Sequence, residues 1–524
     1  MTESLHLASD RPRICAGLEQ LPAEFDLVVV GLGVTGVGVA LDAAARGMSV
    51  LAVDAHDLAF GTSRWSSKLV HGGLRYLAHG QVGVAHESAV ERGILMETTA
   101  PHLTRPLGNL VPLTKRTPLI MRAAITAGDL LRRSAGTSSE LLPPGHFIPS
   151  AEALALAPGL RREGLRGAML TWDGQLVDDA RLVTTIARTA VQQGAQIRTR
   201  ARFLGAASGQ VRLRDELTGA THQVTARAVV NAAGVWAGKV AELLPTAAPA
   251  IQLKPSRGTH LVLKPAAEDP MSRLRVAVMV PIPGSNSRFA FVLPQSDGTA
   301  YVGLTDEPAG DEIPDVPEAT EMEIGFLIDV VSAAFAKPIR RTDLAGTFAG
   351  LRPLLSGSGE TADLSRKHAV LAGRAEGLDC VTVVGGKLTT YRRMAQDAVD
   401  ALPFARSFND CQTRTLPLAG AAPREVLARL REPSRLVERY GADAALVLES
   451  ARAISGCSDD ELLQPVAADV PTTLAEMLFG VTHEGAHDIA DLVERRTRIA
   501  LVPDDLPAAR AMATRALDLA AVAN

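Results

Sequence analysis

Residues 25–54 read FDLVVVGLGVTGVGVALDAAARGMSVLAVD. The β-branched run 25–30 meets GLGVTG (31–36), then a stretch with helical spacing to Gly47, then a second apolar run that ends at Asp54. Strand, glycine turn, helix and strand make a βαβ unit, and runs apolar on both faces suit a parallel sheet covered by helices. Gly31 permits the tight turn, Gly33 lets the backbone approach a pyrophosphate, and Gly36 allows close packing of helix on sheet. The helix start offers unpaired N–H groups and about half a positive charge to phosphates. Asp54 is placed to accept from a ribose hydroxyl. A dinucleotide at this turn is the first expectation.

The segment after Asp54 favours FAD over NAD. A domain serving NAD alone continues through sequential βα units, whereas here the second strand leads into GTSRWSSKLVHGGLRYL (61–77), dense in Gly, Ser and basic residues and able to run along an extended FAD. Further strands of the buried kind come much later, at 226–234 and 380–386, so the nucleotide domain is expected to be discontinuous. Between them, 259–265, 288–294 and 299–306 alternate as antiparallel strands do, and are expected to form a second sheet beside the substrate. From about residue 401 onward the composition is rich in Ala, Leu, Arg and Glu with helical spacing, which predicts a helical C-terminal domain.

The 524 residues carry 54 Lys plus Arg against 58 Asp plus Glu, so no basic field suggests nucleic acid as a partner. Cys15, Cys380, Cys411 and Cys457 include no CxxC pair, which argues against a disulfide framework, a zinc site or a redox dithiol. No metal is expected. Residues 1–24 read as a loose arm without an apolar leader, and no stretch reaches the roughly 20 apolar residues of a spanning helix. A reducing cytoplasm is the expected location.

At 26–77 the sequence resembles FAD-dependent glycerol-3-phosphate dehydrogenases, and VDDARL (177–182), VNAAGVW (230–236), RGTHLVL (257–263), VGLTD (302–306), FAGLRPL (348–354) and GGKLTTYRRMA (385–395) carry the resemblance in order to about residue 400. It implies an α/β fold: an FAD-binding Rossmann-like domain of the glutathione-reductase/D-amino-acid-oxidase type, an antiparallel substrate domain and a helical C-terminal domain. The corresponding ranges are 25–90, 172–245 and 340–400 for FAD, 91–171 and 246–339 for the cap, and 401–524 for the helices. It also implies oxidation of sn-glycerol 3-phosphate to dihydroxyacetone phosphate, with electrons passed to a quinone at the cytoplasmic face of a membrane. The FAD contacts implied are Gly31, Gly33, Gly36, Asp54, Thr62, Ser63, Ser66, Ser67, Lys68, Gly72, Gly73, Leu74, Asn231, Gly234, Gly385, Gly386, Lys387, Leu388 and Thr389. Two departures stand out: Arg64 and Trp65 are larger than the small residues expected in the Ser-rich stretch, and Asp54 stands where such flavoproteins more often have Glu.

Oxidising a secondary alcohol beside a phosphate requires cations for the dianion, a hydride acceptor and a base for the hydroxyl proton. Arg352 and Arg75 suit the phosphate because a planar guanidinium grips two oxygens at once. Lys387 suits the phosphate or the oxygen on C2, and Tyr76 lines the pocket by family analogy. His260, with His71 second, is the expected base, because histidine titrates nearest neutral pH. A solvated charge and a hydrogen-bonded structural histidine are the plain alternatives. Trp236 reads as core packing rather than a flavin contact.

In 115–133, Leu119, Ile120, Ala123, Ala124, Ala127, Leu130 and Leu131 share one helical face, with basic residues at both ends. That pattern suits either an interfacial helix on anionic lipid or a helix docked on a core. A homodimer is also compatible with the sequence. Competing functions are an oxidase handing electrons to O2 and a catalytically idle FAD-bound structural or regulatory protein.

Overall fold

The computed structural model describes residues 14–73, 81–114, 120–245, 251–285, 288–310, 312–355 and 367–523. A first sheet runs in the order Ile14–Ala16, Gln196–Thr199, Val50–Val53, Glu24–Val30, Thr221–Asn231, Leu378–Val384, with all of these neighbours parallel. One row across its centre is Leu51, Val28, Val229 and Cys380. Strand side chains alternate between faces, and the apolar run divides accordingly. Leu27 and Val29 pack under the helices Val34–Ala45, Asp179–Gln192 and Tyr391–Asp400, while Val28 and Val30 pack with Phe203, Val211 and Leu213 from an antiparallel meander on the other face. Both faces are therefore dry, which is why the run carries no polar alternation.

The second sheet is mostly antiparallel. Leu344–Arg352 pairs with Ser256–Leu263, followed by Ala300–Gly303, Phe289–Pro294, Ala277–Pro281, Thr104–Leu113 and Gly167–Leu176. Ala277–Pro281 beside Thr104–Leu113 is the parallel exception. Its register sets His260 between Phe348 and Gly303. Helix Glu321–Ser332 closes its outer face with Ile324, Leu327 and Val331.

Helices Ser434–Tyr440, Ala444–Ser455, Leu474–Glu484 and Leu506–Ala523 build a third core around Leu478 and Phe479. The preceding segment does not belong to it: Leu402, Ala405 and Leu418 pack into the core of the first sheet, as do Leu95, Met96 and Leu103. Helix Ile120–Ser134 divides the apolar face seen in the sequence. Leu131 is buried against Ala85 and Ala89, Leu130 is 69 % exposed, and Arg132 is buried on Asp129 and the Thr137 carbonyl. Leu119 lies outside the described residues. Among the described residues no helix is long and apolar enough to cross a membrane.

His102, in the turn Pro101–Leu103, is buried, and among the described residues neither of its ring nitrogens has a hydrogen-bond partner. Burial, with the charges of Arg181, Arg188 and Arg424, pushes its pKa down to about 3. The folded value lies below the ordinary 6.5, so the neutral ring's contribution to stability is whole above pH 6.5 and is lost as pH falls toward 3. Denaturant midpoints are expected to decline between pH 6.5 and 4, and His102→Phe to make that decline shallower.

Candidate active site

The carboxyl ends of Glu24–Val30, Thr221–Asn231 and Leu378–Val384 open on a cavity of about 820 Å³ that reaches the inner face of the second sheet. Gly31 stands at its floor with φ +105°, and a Cβ there would sit 2.7 Å from the Ala232 carbonyl oxygen. A Cβ on Gly36 would overlap the Gly31 carbonyl oxygen, so the glycine brings the helix onto the strand. Gly36 thus shapes the turn from behind and is absent from the cavity wall. At the helix start, Ser63 Oγ accepts from the Val34 amide at 2.9 Å, and Gly33 faces the cavity beside it. Asp54 accepts from the Leu32 amide at 2.8 Å and the His56 amide at 2.9 Å. Burial raises its pKa, against those two bonds.

These residues fit a dinucleotide with a flavin. Asp54, Thr62, Ser63, Ser66 and Ser67 line the cavity, as do Gly385 and Gly386 at φ +79° and +72°. Gly73, Gly234, Leu388 and Thr389 also line it. Trp236, expected in the core, borders the cavity beside Phe60 at 6.5 Å between ring centroids. Of the two bulky side chains, Arg64 leaves the wall and Trp65 is part of it. Arg64 turns away to Glu494 at 2.6 Å and to the Phe60 carbonyl, and Trp65 stacks on Phe348.

His260 is 1 % exposed and lies at the cavity wall, with Nε2 2.9 Å from Ser67 Oγ and its ring stacked on Phe348 at 4.5 Å. A Cβ at Gly303 would overlap that ring, so glycine is required on the neighbouring strand. Burial holds the His260 pKa well below 6.5, reinforced by the positive charges of Lys68 and Arg352. Arg352 enters from the end of the adjacent strand and donates to Ser256 Oγ at 3.3 Å, Asp306 Oδ1 at 3.3 Å and the Thr305 carbonyl at 3.1 Å. A Cβ at Gly258 would overlap its guanidinium. Two glycines therefore make room for the two side chains that face the cavity.

Asp306 escaped the sequence reading. It is buried at the cavity, joined to Ser256 and Arg352, and its one signal was its place at the end of VGLTD. His71 borders the same cavity, whereas Gly72 is packed on Arg92 with its amide on the Asp173 carboxylate. Lys387 lines the wall but its ammonium donates to Ser88 Oγ on the helix Val82–Ile94.

Two expected FAD contacts have other work. Asn231 donates from Nδ2 to the Ala237 carbonyl and accepts the Ala233 amide, which shapes the turn after its strand from inside the protein. Lys68 is buried away from the cavity on Asp179 at 3.1 Å and on the carbonyls of Arg64 and Ser66; burial lowers its pKa to about 8. A lysine in a Ser-rich loop and an asparagine at a strand end look the same in sequence whichever way they turn. Leu74, Arg75 and Tyr76 lie outside the described residues.

Residues 26–392 match the family of FAD dependent oxidoreductases, and residues 411–523 match the C-terminal domain of alpha-glycerophosphate oxidase. The chain is 47 % identical over 496 residues to glycerol-3-phosphate dehydrogenase 1 of Mycobacterium tuberculosis, covering 92 % of each chain. It superposes on the glycerol-3-phosphate dehydrogenase of Bacillus halodurans, solved in complex with FAD, with a TM-score of 0.70, 28 % identity, and 95 % and 91 % of the two chains covered. It shares its fold with the L-alpha-glycerophosphate oxidase of Mycoplasma pneumoniae, at a TM-score of 0.55, 18 % identity, and 74 % and 97 % coverage.

The tightest constraint in the turn is at Gly36. Gly36→Ala is expected to cost about 1–3 kcal/mol of overpacking and to yield protein with less bound flavin, read as the ratio of visible to 280 nm absorbance.

Proposed function

The chain belongs to the family of FAD-dependent glycerol-3-phosphate dehydrogenases, and from that premise we propose that it oxidises sn-glycerol 3-phosphate to dihydroxyacetone phosphate and passes the electrons to a quinone. The observation that carries the reading is the meeting of His260 and Arg352, from two paired strands, in one cavity that Gly385 and Gly386 also line.

FAD supplies the hydride acceptor; the protein supplies the rest. Arg352, with Arg75 and Tyr76, binds the phosphate dianion, and the partnership with Ser256 and Asp306 fixes the guanidinium plane so that little ordering remains when substrate arrives. His260 is neutral at working pH and takes the C2 hydroxyl proton as the C2 hydride departs, so one proton and one hydride leave the alcohol and a ketone remains. Ser67 and Phe348 hold the ring in plane. His71 lines the same space as a second titratable group. Lys387 adds positive charge near Gly386. Gly385 and Gly386, which line the cavity, would hold the pyrimidine end of the flavin, where their amides would favour negative charge. In this reading Asp54 contacts the ribose and Ser63 the pyrophosphate. The exposed Leu130 lies on the helix we assign to a membrane surface carrying the quinone.

Anaerobic addition of glycerol 3-phosphate is expected to bleach the flavin absorption, and D-amino acids and glycine to leave it unchanged. An unbleached spectrum rejects the dehydrogenase. Fast stoichiometric peroxide in air assigns the electrons to oxygen instead. His260→Asn should slow flavin reduction by about 10²–10⁴-fold. Arg352→Met, by losing a charge-assisted bond worth roughly 1.5–3 kcal/mol, should raise KM for glycerol 3-phosphate by about 10–150-fold. Because the His260 pKa is depressed, protonation disables the base only below the ordinary 6.5. The reductive rate is therefore expected to stay level as pH falls through 6.5.

A further inference from the structure

The cavity wall from Asp54 to Lys68 has two sides. Asp54, Thr62, Ser63, Ser66 and Ser67 look into the cavity, while Asp57, Arg64 and Lys68 look outward and are 0 %, 0 % and 2 % exposed. Asp57 and Arg64 meet the turn Asp491–Arg496, and Lys68 is linked through Asp179 to Arg498, two residues beyond it. Asp57 accepts from Arg496 at 2.8 and 2.9 Å and from Arg495 at 2.7 Å. Arg64 donates to Glu494 at 2.6 Å. Lys68 shares the Asp179 carboxylate with Arg498, which donates to it at 2.6 Å, and the same carboxylate accepts the amide and hydroxyl of Ser66. Arg495 is tied to Asp491, which also binds Arg200, and Arg200 gives its amide to the His56 carbonyl. Four charged residues within five positions of the C-terminal domain thus grip the back of a wall whose front faces the cavity.

We propose that Glu494, Arg495, Arg496 and Arg498 are positioning residues of the FAD site, a clamp by which the C-terminal domain sets FAD affinity without touching the cofactor. This rests on the placement of FAD along the wall 54–68. The physical reason is preorganisation: the wall is a run of turns whose inward hydroxyls and amides bind a dinucleotide well only if their geometry is fixed beforehand, since ordering them on binding subtracts from affinity. The clamp holds the adenosine end through Asp57, three residues beyond Asp54, and the flavin end through Asp179 and Ser66.

The test is the rate at which flavin fluorescence appears when full-length holoenzyme is diluted at 25 °C, measured beside the melting temperature. Arg498→Met is expected to speed release by about 10-fold or more, with Arg498→Lys restoring most of the retention. Glu494 is 36 % exposed and a glutamine there keeps an oxygen acceptor for Arg64, so Glu494→Gln tests the clamp even if Arg498→Met does not fold, and is expected to speed release by about 3-fold. Leu478→Ala, in the core of the C-terminal domain, should lower the melting temperature without changing release. Release unchanged in the charge variants, or accelerated as much by Leu478→Ala at equal loss of melting temperature, overturns the clamp. Gly33→Val, which intrudes on the cavity beside Ser63, reports separately on where FAD sits. If it leaves release unchanged, the cofactor placement is wrong; if it speeds release while Arg498→Met does not, the clamp alone fails.

Discussion

The carboxylate of Asp179 joins three parts of the molecule that are remote in sequence. It opens the helix Asp179–Gln192 of the first layer, accepts the amide and hydroxyl of Ser66, pairs with Lys68, and receives Arg498 from the C-terminal domain. The Lys68 ammonium in turn lies 4.6 Å from the centre of the Phe348 ring, which stacks on His260 in the second sheet. Removing one partner from such a buried pair costs about 3–5 kcal/mol, because the remaining charge is stranded in a dry interior. The same arithmetic gives a buried pair little net stability over apolar packing. What such a pair adds is a penalty on wrong arrangements: apolar faces associate in many ways, and a packing that separated these groups would strand their charges in a dry interior.

The first layer was legible because its information is local. The run 25–30, the glycines and Asp54 sit within one βαβ unit, and Gly36 against Gly31 is a contact over five residues. The strand carrying His260 was legible by alternation. What the sequence concealed is long-range or directional. Arg498 meets Asp179 across 319 residues, and Arg496 meets Asp57 across 439, with no periodicity to announce either. Lys68, Asn231 and Lys387 stand out in the sequence by their motifs, but which way each side chain turns is decided by Asp179, the Ala237 carbonyl and Ser88. Arg64 looked anomalous in a small-residue stretch for the same reason: its partner Glu494 is invisible until the C-terminal domain docks.

The small formal charge of −4 masks how the charge is used. Asp57, Asp179, Glu484, Arg181 and Arg496 are all essentially inaccessible. For Asp57, Asp179, Glu484 and Arg496 burial works against the charged form and nearby opposite charges reverse it: Asp57 and Asp179 are held below the ordinary carboxylate range by their arginine and lysine partners. Lys68 is the opposite case, because burial, joined by repulsion from Arg498, outweighs the attraction of Asp179.

At the proposed reaction centre the same electrostatics imposes a compromise. A doubly negative substrate calls for positive potential, yet that potential lowers the basicity of any histidine beside it, and His260 feels both Lys68 and Arg352. A base of too low a pKa removes a hydroxyl proton poorly. Asp306 on Arg352 and Asp179 on Lys68 reduce the excess positive charge at its two sources. If His260 is the base and Arg352 the phosphate ligand, as proposed, the carboxylates tune the base as well as positioning the cations: without them Arg352 would attract phosphate more strongly and His260 would accept a proton less readily. In that proposal the arrangement balances substrate affinity against proton transfer, with groups that lie behind the residues expected to touch the substrate.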